Sequence, residues 1–349
     1  MTIKDSRLLL CCFLSAALFA WTLRLASEWE EKLAVYPAGI DLTYDQSSED
    51  EEEEEDEGEE EAREQVVRKK TETGTSQKVW KAGGMFNAQY HFVNFNRDKL
   101  DVSFSMPAEY YRKYLTGYGY TDEEYSALKK WRETAYRAAW EAGYERGGKP
   151  AAEKAVKEVG VEYETRLRGM FYKRGLALRT GNIVECDMPG IVRRNAPELK
   201  SLALAFQAHA KKNGYGSEDT VGAVVSMVQT AIRYKIPPTL EGTRHTGGLL
   251  PPARSLLSGW GDCDTKTGVV ASILANWSGI KMVGIAVPRH YLMAIRRIPG
   301  KGDMFVRYEG LEYVLIEPAG PAWLEPGSVG KYTAELLKSS KGYVIEPFF

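Results

Sequence analysis

The stretch GWGDCDTKTGVVASILANW, residues 259–277, sets a cysteine directly in front of an apolar run at helical spacing. Val269, Val270, Ile273, Leu274 and Trp277 recur at three and four residues, which predicts a helix with one buried face. Gly259 and Gly261 permit a tight turn into that helix, and Asp262 is a favourable N-cap. Cys263 then falls in the first turn, at the positive end of the helix dipole, where a thiol ionises more readily to the nucleophilic thiolate. A small buried core residue is the alternative for a lone cysteine.

A histidine and an acid lie downstream, each at the edge of an expected strand. KMVGIAV (281–287) alternates Val283, Ile285 and Val287, and Pro288-Arg289 leads into His290 and the apolar run YLMAI. After a charged loop at 298–303 comes a pair of short strands, the second being LEYVLIEP with Glu317 at its end. A helix that presents Cys, a strand that presents His and a strand that presents an acid can build a thiol–imidazole–carboxylate triad.

GDCDTK (261–266) resembles the Gly-Asp-Cys-Asp/Glu-x-Lys or -x-Tyr signature of bacterial members of the transglutaminase-like superfamily, a branch of the papain-type cysteine hydrolase fold. The resemblance spans about residues 195–325. It implies an α+β core whose nucleophile-bearing helix packs on an antiparallel sheet, with Cys263, His290 and Glu317 as the catalytic triad. In that family a Gln or Trp upstream of the nucleophile donates to the oxyanion. Residues 229–234 look similar to that segment, so the resemblance gives the role to Gln229. By its position alone, Gln229 is a polar neighbour of the stripe Val221, Val224, Val225, Val228 and Ile232. Two features depart from the family: the acid is Glu where many members have Asp, and the His-to-acid loop is long. Asp262 and Asp264 flank the thiol and would raise its pKa if they turned inward. They are expected to face outward, or to bind neighbouring backbone and Lys266.

Composition limits the other readings. The 349 residues carry a formal charge of -2, with no basic excess to suggest nucleic acid. Four cysteines (Cys11, Cys12, Cys186, Cys263) and four histidines (His91, His209, His245, His290) show neither disulfide-framework nor zinc-ligand spacing. No phosphate-binding glycine motif occurs, so no cofactor and no metal are expected. Lys4 and Arg7 precede the apolar run Leu8–Leu23, which reads as a transmembrane helix or signal segment over 8–26, with 1–7 inside and the bulk of the chain extracytoplasmic. Residues 46–63 are a low-complexity acidic block within a disordered linker, 27–80. A solvated spacer is the simplest role for it; a site for calcium or a basic partner is the alternative.

Two further regions are expected. Residues 81–190 hold a β-hairpin, turning at Asn96-Arg97-Asp98, and then a helical hairpin within an insertion at 107–178. In the insertion Leu128, Trp131, Ala135, Ala138 and Ala142 form one stripe, and Ala152, Val156, Val159, Tyr163, Leu167 and Met170 the other. Gly147-Gly148-Lys149-Pro150 divides them. The insertion has no counterpart in the minimal family core and is a candidate surface for a protein partner. Cys186 follows in an extended or loop segment. Residues 191–349 are the transglutaminase-like domain: a helix opened by Asn195 and Pro197 and closed by Asn213-Gly214, a second helix ended by Pro237-Pro238, then a loop at 239–258 walling the cleft. His209 is expected to be structural or exposed, and His245 exposed in that loop.

The resulting expectation is a membrane-anchored, extracytoplasmic cysteine enzyme. It would act on amide bonds of a protein or peptide, cell-wall peptide included, through a thioester acyl-enzyme. Water as acceptor makes it a peptidase, an amine an acyltransferase. A catalytically idle module that binds a partner through the helical hairpin is the rival.

Overall fold

The computed structural model describes residues 75–320, 323–338 and 342–349. The anchor at 8–26, its flank at 1–7, the acidic block and the linker up to residue 74 lie outside the described residues. Among the described residues no helix is long and apolar enough to cross a membrane.

The architecture is mixed α+β with antiparallel sheets. β1 (Ser76–Ala82), β2 (Met85–Val93) and β3 (Lys99–Pro107) form an antiparallel meander. β1 corrects the linker boundary, since a strand already occupies Ser76–Ala82. SQKVWKA lacks alternation because both its faces are largely exposed, and it is held by backbone pairing to β2. Its signal is Gly83-Gly84, at φ 56° and 73°, the pair that a two-residue hairpin requires. Along β3 each alternate residue is buried, and Tyr90, Phe92, Val102 and Phe104 form one apolar face.

α1 (Ala108–Thr116) and β4 (Tyr120–Thr121) lead into α2 (Asp122–Lys173). Thr121 and Glu124 close a capping box at its start. Gly147 (φ -164°, ψ 26°) and Gly148 (φ 65°, ψ -160°) are not helical, so α2 consists of two arms. The arms lie antiparallel. Arg132 sits over the Tyr163 ring, Arg166 sits over Trp131, and a Cβ on Gly143 would come within 2.6 Å of the Ala152 Cα.

β5 (Leu176–Leu178) and β6 (Val184–Cys186) pair with each other, and α3 (Met188–Asn195) follows. In the segment between these strands Gly181 and Asn182 take φ 81° and 66°. α3 occupies a stretch read from sequence as extended or loop. Asp187 caps it by accepting from the Gly190 N–H at 3.1 Å, and Pro189 sits in its first turn. α4 (Lys200–Asn213) ends at Gly214 in the left-handed conformation, φ 71°. Then come α5 (Ser217–Ala231), β7 (Arg233–Tyr234), β8 (Leu240–Glu241), β9 (Arg244–His245) and α6 (Pro252–Ser258). The expected loop 239–258 therefore holds a helix, opened by Pro251-Pro252 and closed by Gly259 at φ 77°.

β10 (Trp260–Gly261) pairs parallel with β7 and delivers the chain to α7 (Cys263–Leu274). α7 is buried from Thr265 to Leu274 and contacts α3, α4, α5, α6 and the sheet that follows. It is buried on all sides, Thr265, Lys266, Thr267 and Ser272 included, so it lies at the centre of the core. β11 (Met282–Val287), β12 (His290–Arg296), β13 (Phe305–Tyr308) and β14 (Leu311–Ile316) precede α8 (Lys331–Lys338) and β15 (Val344–Pro347). The five strands order as β13-β14-β12-β11-β15, each neighbouring pair antiparallel.

Both faces of this sheet are covered. Met282, Met293, Ile295 and Ile316 join the core around α7, whereas Val283, Ile285, Leu292 and Leu315 pack with Leu336 and Leu337 of α8. Gly284 is required where it stands, since a Cβ there would meet the crossing Tyr291 ring. The apolar face of β2–β3 shares the α7 core, and the Tyr90 hydroxyl donates to the Leu256 carbonyl. The expected boundary at 190/191 is therefore no division of the core. A three-stranded meander is too small to bury its own face, so it closes on α4, α5 and α6.

Candidate active site

Cys263, His290 and Glu317, the residues expected to form a triad, are positioned by three separate routes. Asp262 caps α7 by accepting from the Thr265 N–H at 3.0 Å, which fixes Cys263 at the first helical position. Val287 pairs with His290 across the two-residue turn Pro288-Arg289, in which Arg289 takes φ 58°. That turn starts β12 at His290. α7 packs on β12, the Thr267 hydroxyl donates to the Tyr291 carbonyl at 3.3 Å, and the Tyr291 N–H reaches the Cys263 sulfur. Glu317 follows β14, which pairs with β12. Cys263 and His290 line one cavity of about 580 Å³, within the roughly 300–1,000 Å³ usual for ligand sites.

The imidazole and the acid are tightly joined. His290 Nε2 lies 2.9 Å from Glu317 Oε1 and 3.2 Å from Oε2, and the Thr333 hydroxyl donates to Oε2 at 2.6 Å. Burial would raise the Glu317 pKa, but the His290 contact and the hydrogen bonds outweigh it and hold the carboxyl below its ordinary value. An ionised carboxylate only accepts, so Nε2 carries the proton and Nδ1 is left as the basic nitrogen.

Sequence reasoning missed what holds this acid in place. Gln229 is buried and its amide is engaged away from the thiol. Nε2 donates to the carbonyls of Glu317 (2.6 Å) and Leu324 (3.0 Å), and Oε1 accepts from the Leu324 N–H (2.9 Å). Gln229 does not line the cavity, which corrects its assignment as an oxyanion donor. The signal that carried that assignment, a Gln flanking an apolar helix face before the nucleophile, fits a brace equally well. Lys266, fully buried, donates from Nζ to the Ala319 carbonyl at 2.7 Å. Thr333 on α8 completes the support, and nothing in its sequence neighbourhood pointed to the site. Of the first-turn N–H groups of α7, which have no acceptor within their own helix, that of Thr265 is taken by Asp262, which leaves those of Cys263 and Asp264 as candidate oxyanion donors.

The flanking acids also depart from expectation. Asp262 binds backbone as expected, yet it lines the cavity together with Asp264. The Cys263 thiol donates to Asp264 Oδ1 at 3.4 Å. Burial, then Asp264 and Asp262, push the thiol pKa well above its ordinary value, against a lowering by the Tyr291 N–H. Burial and Asp264 also raise Asp262, to about 7. A raised carboxyl binds its proton more tightly in the folded chain, so its contribution is fully present below 3.8 and is lost as pH rises toward 7. Asn keeps the capping oxygen without the charge. Asp262→Asn is thus expected to raise the melting temperature by a few degrees at pH 8 and scarcely at pH 4. Equal shifts at both pH values would remove the ionisation from the account.

The remaining candidates sort differently. Cys186 lines the same cavity, buried, with its thiol donating to the Gly247 carbonyl at 3.2 Å. His245 does not line it: the ring stacks on Tyr120 at 4.8 Å and bonds Asp122 at 3.1 Å, tying the loop to the base of α2. His209 binds the Asp101 carbonyl at 2.7 Å. Among the described residues no group of three or more His, Cys, Asp or Glu could hold a metal ion.

Comparisons with protein-family models, curated proteins and solved structures found no match to this chain. Its class is accordingly read from the molecule itself: an α+β chain with antiparallel sheets and a cysteine and histidine sharing one cleft.

Proposed function

We propose that this protein is a cysteine enzyme acting on amide bonds of a protein or peptide, with Cys263, His290 and Glu317 as its triad. The observation that carries the reading is the 2.9 Å contact between His290 and buried Glu317, in the cleft into which Cys263 opens. The transglutaminase-like, papain-type core is part of the same proposal, supported by the resemblance around Cys263 and by a nucleophile helix that packs on an antiparallel sheet.

The reaction follows from the groups. Cys263 passes its proton to Nδ1 of His290, and the thiolate attacks the carbonyl carbon. First-turn N–H groups of α7 stabilise the oxyanion. The C–N bond breaks, the amine leaves with the proton from His290, and a thioester remains. Water then releases an acid, or a second amine forms a new amide; the imidazole again moves the proton. Glu317 holds the ring tautomer and stabilises its cation.

A peptide carrying a thiol-directed electrophile tests the reading. It should label Cys263 far faster than an exposed cysteine, and His290→Ala should suppress that excess. The raised thiol pKa favours a second reading, a catalytically idle module that binds a partner through the arms of α2. That module would label Cys263 no faster than an exposed thiol. The apolar run at 8–23 further supports a membrane-anchored, extracytoplasmic enzyme. Protease added to sealed cells should then release the domain; protection until lysis would reverse the orientation.

A further inference from the structure

The charges that face Cys263 are unbalanced. Glu185, Asp262, Asp264 and Glu346 line the cleft, against the guanidinium groups of Arg179 and Arg289. Arg179 is committed to Glu185 at 3.0 Å and to Glu346, and the Tyr291 hydroxyl also donates to Glu346 at 2.8 Å. The thiol hydrogen is directed at Asp264, so a carboxylate occupies the position from which it most opposes a sulfur anion.

We propose that Asp264 is a charge gate on Cys263, and that the cleft takes a substrate with an ammonium or guanidinium group beside the attacked amide, which pairs with Asp264 and frees the thiol to ionise. The proposal rests on the amide-cleaving function given above and names its substrate class. The S–H bond points at Oδ1 of Asp264, which keeps the proton on sulfur. A cation seated against Asp264 takes up that oxygen and offsets its charge. The proton then moves from Sγ to the imidazole of His290, with nothing else consumed. Burial raises the Asp264 carboxyl, and Glu185 and Glu346 add to that, while the Cys263 hydrogen bond and His290 pull it down. Glu185 and Glu346 line the same cleft and add to the negative field, against Arg179, Arg289 and the imidazole of His290. A bond next to a basic side chain would thereby be selected twice, in binding and in activation of the nucleophile.

Three methanethiosulfonates of matched size, one neutral, one a quaternary ammonium and one a sulfonate, read this field directly. The same thiolate attacks each reagent and displaces methanesulfinate, so the ionised fraction cancels from their rate ratios. The full chain is treated with each reagent in the presence of a chelator, modification of Cys263 is followed by peptide mass mapping, and rates are normalised to free cysteine. The cationic reagent should react about tenfold or more faster than the anionic one, as focused fields in clefts produce. The ratio should shrink as salt is raised, which requires no variant. Asp264→Asn should bring it toward one and move the pH midpoint of the neutral reagent's rate downward. A wild-type ratio near or below one, a ratio untouched by Asp264→Asn, or a Cys263 that reacts with none of the three would overturn the proposal. So would a ratio that appears only on chelation, which would assign the carboxylates to a metal ion. If His290→Ala leaves the neutral reagent's rate unchanged, the triad fails while the charge ratio still decides the gate.

Discussion

Cys263→Ala is expected to abolish turnover of an amide substrate and to leave the melting temperature within a few degrees of the parent. The substitution removes one sulfur atom from the wall of an existing cavity, so little packing is lost. His290→Ala should be almost as severe, because one ring supplies both the base that ionises the thiol and the acid that protonates the leaving amine. Glu317→Gln should be milder. The amide still contacts the ring but cannot stabilise imidazolium, and losses of about 10²–10⁴-fold set the scale. Cys263→Ala/His290→Ala should be scarcely worse than either single change, since the groups act as a unit. Cys186→Ser is the control: it keeps a donor for the Gly247 carbonyl in the same cleft wall. Turnover in a folded Cys263→Ala protein, or its loss in Cys186→Ser, would overturn the nucleophile assignment.

Gln229→Leu should be the most destabilising change away from the thiol. It strips partners from the Glu317 and Leu324 carbonyls and from the Leu324 N–H, around a side chain that is 1% exposed. Each buried group left unsatisfied costs about 1–3 kcal/mol, so a loss of several kcal/mol in denaturant unfolding is expected. Activity should fall with it, because the segment after Glu317 loses its tether. An oxyanion donor would behave in the opposite way, with stability near that of the parent and the rate down by about 10²–10³-fold. A stable but inactive Gln229→Leu protein would return Gln229 to the oxyanion.

Much of the site was legible before any tertiary contact was known. Gly259, Gly261 and Asp262 ahead of an apolar run specify a turn, a cap and a helix within a dozen residues, and all three signals act locally. Val283, Ile285 and Val287 sit on one sheet face for the same reason, and the turn at Pro288-Arg289 fixes where His290 falls. Gly147-Gly148 breaks α2 at the position its sequence indicates, because a left-handed glycine needs no distant partner. β1 was passed over because its residues are mostly exposed, and only Gly83-Gly84 announced the pairing.

What the sequence by itself determined is local: the helix that starts at Cys263, the strand that starts at His290, the strand that ends just before Glu317, and the two-armed α2. Only the tertiary structure decided which polar groups meet across the chain. Gln229, Lys266 and Thr333 lie far apart in sequence, yet all hold Glu317 or the residues after it. Asp264 likewise turns to the thiol and Cys186 into the cleft, neither of which the local pattern specifies. The physical reason is range. Turns, caps and periodicity depend on neighbours within a few residues, whereas a buried polar side chain takes its role from whichever unsatisfied backbone group the packed core brings beside it.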